Sequence, residues 1–147
     1  MTPADLGRIG AGWNAEIVAH VDQCYAGWNV EIGDADGDGK REILTGTAPD
    51  SRIEIHRKAA DGWHTTRLVD HLAGEGPGMV LGVRVVDLDH DGHPEVLAGT
   101  GQEDGTIAQV VMLTTDGTSV TSMTSLRSPD NTSSYTHGLA TADLDTR

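Results

Sequence analysis

The sequence predicts an all-β chain, a partial β-propeller of about two four-stranded antiparallel blades plus parts of flanking blades. Two observations carry that expectation. The first is a repeat: Val30 to Thr47 (VEIGDADGDGKREILTGT) aligns without a gap on Val83 to Thr100 (VRVVDLDHDGHPEVLAGT), 53 residues on. A third copy opens at Leu139-Ala140-Thr141-Ala142-Asp143-Leu144-Asp145, after 56 more. The second is punctuation, because short runs of β-formers alternate with turn residues and no stretch sustains a helical period. A four-stranded unit repeating at this interval is the pattern of a propeller blade. A solenoid of β-coils would repeat faster, and a β-sandwich has no reason to reproduce one acidic loop in every unit.

Taken in order, the first unit places strands at 28–33, 42–47, 52–57 and 63–69, and the second at 81–86, 95–100, 106–114 and 118–124. Trp28, Val30 and Ile32 alternate before the first acidic stretch, Ile43 and Leu44 follow it, and Ile53 and Ile55 alternate in the next run. Asp61-Gly62 and Asp116-Gly117 are hairpin signals, since both supply residues that tolerate positive φ between β-forming runs. Gly12-Trp13 and His20 echo Gly62-Trp63 and His71. The units therefore divide as 10–22 (end of a preceding blade), 23–72 and 73–126 (two blades, each with an acidic loop) and 127–147 (start of the next). A ring of about 4 to 8 blades does not close with two. The chain is expected to belong to a longer ring or to assemble with other copies.

Composition bounds the partners. With 147 residues, Lys+Arg 10 against Asp+Glu 23 and a formal net charge of −13, the surface is unsuited to nucleic acid and suited to cations. Apolar runs such as Val83 to Val86 fall far short of the roughly 18 residues of a spanning helix. Phe is absent, so the core has to come from Val, Ile and Leu. Cys24 is the one cysteine and reads as a small buried hydrophobe. The first residues carry no visible secretory signal, so either the protein stays inside or these residues are not its native start.

The acidic stretches are the strongest chemical signal. In Asp34-x-Asp36-x-Asp38-Gly39-x-x-Glu42 three carboxylates alternate and a fourth follows at position nine; Asp87, Asp89, Asp91 and Glu95 repeat the spacing. Such charges repel unless a cation sits among them. An all-oxygen donor set suits a hard ion with six to eight ligands, calcium before magnesium, and disfavours zinc. Lys40 and His93, at position seven, would contribute backbone carbonyls. Asp143 and Asp145 begin the third set. An EF-hand is excluded twice over: position twelve is Thr45 or Ala98 where a bidentate Glu is needed, and strands flank the loop where helices are required. Two bound divalent ions would add +4, moving the formal charge from −13 to −9.

The motifs GDADGDGKREIL and VDLDHDGHPEVL resemble FG-GAP/VCBS-type repeats, the calcium-binding blades of integrin-α-like β-propellers. The resemblance spans roughly residues 10 to 147. It implies that each loop joins the first two strands of a blade and that its aspartates bind one calcium ion. It also implies an extracellular or cell-surface protein that binds a glycan or protein, or the propeller portion of a secreted polysaccharide-active lyase or hydrolase. No catalytic set is recognisable, so the reading leans away from an enzyme. His20 and His71 repeat once per unit and are expected to be structural, as are Trp13 and Trp63. His137, Tyr135 and the Gly74 to Gly78 loop mark where a catalytic or sugar-binding face is expected.

Overall fold

In the computed structural model the described residues are 16–20, 29–73, 78–102, 109–126, 136 and 138–142. Eight strands run through them in chain order: β1 (Asn29–Gly33), β2 (Glu42–Gly46), β3 (Ile53–Ala59), β4 (Gly62–Val69), β5 (Gly78–Val86), β6 (Glu95–Gln102), β7 (Val110–Thr115) and β8 (Val120–Ser125). They form two four-stranded sheets with strand orders β1-β2-β3-β4 and β5-β6-β7-β8, every neighbour antiparallel. All eight predicted strands are present, the start of the predicted 106–114 strand lying outside the described residues. The chain is all-β and builds consecutive propeller blades.

Side-chain alternation explains which face each strand buries. Leu44, Ile53 and Ile55 of the first sheet join Val80, Val83, Val96, Ala98, Val111 and Leu113 of the second in one core. Leu44 pairs with Ile55 across β2 and β3, and Ala98 with Val111 across β6 and β7, so each set lies on one face of its sheet. Two glycines let the sheets close on each other. A Cβ on Gly46 would stand 2.6 Å from Val80 Cγ1 and 2.9 Å from its carbonyl oxygen, and one on Gly33 would stand 2.7 Å from Val85 Cβ.

The contact between units recurs. Val80 N–H donates to the Thr47 carbonyl at 3.1 Å, and Thr136 N–H donates to the Thr100 carbonyl at 3.1 Å. As Gly46 lies under Val80, Gly99 lies under Thr136, whose carbonyl oxygen would meet an added Cβ at 2.9 Å. The third unit thus starts on the second sheet as the second unit starts on the first. The alternation of Val30 and Ile32 has the opposite outcome from that of Val83 and Val85. Val30 and Ile32 are 50% and 61% exposed, on the face of the first sheet turned away from the second.

The hairpin signals hold. Gly117 takes φ 83° in the β7–β8 turn, and Gly62, at φ 134°, opens β4 opposite Ala59. Asp116 Oδ1 accepts the N–H groups of Thr118 and Ser119, both at 2.8 Å, and these bonds hold its carboxyl down to about 2. His71 also serves the backbone, at φ 53° with its N–H donating to the Asp50 carbonyl. Trp63 lies under the Lys58 ammonium, 5.0 Å from the ring centre, and Lys58 is paired with Glu16. Cys24, Trp13, Trp28, Tyr135, His137 and residues 74–77 lie outside the described residues.

Candidate metal centres

Each acidic loop joins the first two strands of its sheet, leaving β1 after Gly33 to enter β2 at Glu42, and leaving β5 after Val86 to enter β6 at Glu95. The loops are wound by their own carboxylates. Asp34 Oδ2 accepts Gly39 N–H at 2.9 Å, Asp36 Oδ1 accepts Asp38 N–H at 3.2 Å and Asp38 Oδ1 accepts Lys40 N–H at 2.8 Å. The second loop repeats the set: Gly92 to Asp87 Oδ2 at 3.0 Å, Asp91 to Asp89 Oδ1 at 3.2 Å and His93 to Asp91 Oδ1 at 2.7 Å. Short acidic side chains that fold back on the backbone in this way replace strand pairing with a turn. Gly39 and Gly92 take φ of 84° and 88°, which is why glycine follows the third aspartate. At the position of Gly37 the second loop has His90, also left-handed at φ 60°.

The ninth residue closes each loop from the sheet. Glu42 Oε2 accepts Ala35 N–H at 3.0 Å and Glu95 Oε2 accepts Leu88 N–H at 2.8 Å. Both glutamates are buried, 2% and 4% exposed. Burial pushes the Glu42 carboxyl up, with the charges of Asp36 and Asp38 adding to it, against the Ala35 N–H and Arg57.

The loops bring together Asp34, Asp36 and Glu42 in one group and Asp87, Asp89 and Glu95 in the other, each residue with one ligand-type oxygen within 4.8 Å of the others. Asp38 and Asp91 stand outside these triplets. Asp38 Oδ2 binds the Lys40 ammonium at 2.7 Å, which holds the Asp38 carboxyl below its ordinary range and raises the lysine. Asp143 and Asp145 lie outside the described residues. A hard cation fits the first group on a specific ground: Asp34 Oδ1 is buried with no hydrogen-bond partner, beside two further carboxylates. An oxygen left bare there is costly unless a positive charge meets it.

Arg57 is the site residue that sequence reasoning missed. Its Nη2 binds Asp36 Oδ2 at 2.8 Å, and its Nη1 donates to the Gly117 carbonyl in the β7–β8 turn of the next sheet. Nothing in the loop spacing signals it, because β3 reaches the loop only once the sheet has formed. Gly46 pairs with Ile53 and Gly99 with Val110, so the residue at the place of Arg57 in the second sheet is Thr114.

The family model described as an FG-GAP-like repeat matches residues 34–98, from the first aspartate of the first loop through the second loop and into β6. No curated protein and no solved structure matches the chain. Two blade-like sheets with an acidic loop at the same turn of each, and a family match that takes in both loops, make residues 34–98 similar to FG-GAP-like repeats and give the chain a partial β-propeller fold.

Proposed function

We propose that the chain is a calcium-binding β-propeller module in which calcium is structural, part of a protein that holds a glycan or another protein outside the cell or at its surface. The observation that supports it most is the buried, unpartnered Asp34 Oδ1 beside Asp36 and Glu42. Asp34, Asp36 and Glu42 would hold one ion and Asp87, Asp89 and Glu95 another, with the Lys40 and His93 carbonyls and the carboxylates of Asp38 and Asp91 as further ligands. An ion at each loop would neutralise carboxylates that otherwise repel and tie the end of one strand to the start of the next.

A ligand that binds only the folded chain stabilises it by about 2.7 kcal/mol at a hundredfold excess over its Kd. Melting curves with chelator and with excess calcium test the proposal: chelator is expected to lower Tm and calcium to restore it. Asp34→Asn and Asp87→Asn are each expected to remove one of two calcium equivalents. Curves that chelator leaves unmoved overturn the calcium role. Saturable binding on a glycan array separates a glycan-binding parent from a protein-binding one.

A further inference from the structure

The two loops match in sequence spacing and share four backbone hydrogen bonds, yet they differ in the charge that faces them. In the first, both Asp36 oxygens are engaged, Oδ1 by Asp38 N–H and Oδ2 by the Arg57 guanidinium at 2.8 Å. The Asp36 side chain is 10% exposed and that of Arg57 25%, so solvent screens this pair only in part. In the second, Asp89 accepts Asp91 N–H, and the residue across the sheet at the place of Arg57 is Thr114, whose hydroxyl is bonded to Thr121 at 2.8 Å. Arg57 is also held from the far side by the Gly117 carbonyl, so it is fixed over the loop.

Resting on the calcium reading above, we propose that the loops are graded cation sites: the Asp87, Asp89, Glu95 loop fills first, and Arg57 holds the Asp34, Asp36, Glu42 loop at weaker affinity. A divalent ion at the first loop shares Asp36 with a full positive charge and is repelled by it across a few ångströms of partly buried space. Among the described residues no arginine or lysine pairs with Asp87, Asp89 or Glu95 of the second loop. Two differences oppose this grading: Asp91 N–H donates to Asp87 Oδ1 at 3.1 Å, a dipole that leaves the oxygen able to accept a second partner, and Asp89 is exposed where Asp36 is half-buried. The charge outweighs both.

The test is a calcium titration of the whole chain by calorimetry, with Asp34→Asn and Asp87→Asn to assign the steps. Two steps about tenfold or more apart are expected, the weaker lost in Asp34→Asn and the tighter in Asp87→Asn. Arg57→Thr, which installs the second sheet's residue, is expected to tighten the weaker step about tenfold and bring the two together. Thr114→Arg, at a half-buried position of β7, is expected to weaken the tighter step, so the idea does not depend on Arg57→Thr folding. Equal steps in the unsubstituted chain, or an Arg57→Thr variant whose first loop binds no better or worse, overturn it and make Arg57 a positioning residue for Asp36. An absence of any calcium step overturns the underlying reading as well, which keeps the two failures distinguishable.

Discussion

His56 shows how one residue can leave the repeat without leaving the fold. It sits at the place that Leu113 holds in the second sheet, by the same strand pairing, and it is 1% exposed. Its Nε2 meets Thr45 Oγ1 at 3.0 Å and its Nδ1 meets Thr65 Oγ1 at 2.8 Å, so a neutral ring satisfies both hydroxyls with one nitrogen donating and one accepting. Burial pushes its pKa below 6.5. The folded chain then binds fewer protons here than the unfolded chain, and stability contributed by the neutral ring is present above about 6.5 and lost as pH falls below it. Urea midpoints measured from pH 8 to 5 are expected to fall across that range, and His56→Gln, which cannot titrate, is expected to flatten the fall. An unchanged slope in the variant shows that another group sets it.

At the scale of the element, the strand-to-strand hydrogen bonds are less specific than the residues that let one sheet lie on the next. Gly46 and Gly99 sit in the same Leu-x-Gly-Thr run in the two units, and each has the start of the following unit across it. A methyl at Gly46 meets both the side chain and the backbone of Val80, so Gly46→Ala is expected to cost about 1–3 kcal/mol by overpacking. Denaturant unfolding measures this, and a loss under about 0.5 kcal/mol shows that β5 shifts freely. The strands and their turns were legible because Asp-Gly pairs and β-branched alternation are local signals. The acidic triplets were half legible: spacing named all four carboxylates per loop, but which three converge depends on how the loop winds, since the second loop leaves out Asp91 with His93 where the first has Lys40. Arg57 was not legible at all, since its partners Asp36 and Gly117 are brought to it by two different sheets.

For the whole molecule, position in the stack decides what a repeated residue is worth. Val83 lies between the sheets at 0% exposure, whereas Val30, at the same place in the unit before, is 50% exposed. Val83→Ala is expected to cost about 2 kcal/mol by the lost methyl groups and the space they leave. Val30→Ala is expected to stay within about 0.5 kcal/mol. Equal losses in thermal unfolding show that a further surface covers Val30 in solution. The amino-acid sequence by itself determined the unit length, the strand order within each unit and the place of the acidic loops, because these follow from patterns a few residues long. Only the tertiary structure decided which copies of a repeated apolar residue are buried and which loop has an arginine beside it. Those depend on contacts between units, and a residue's own neighbours in the chain carry no record of what packs against it from the next sheet.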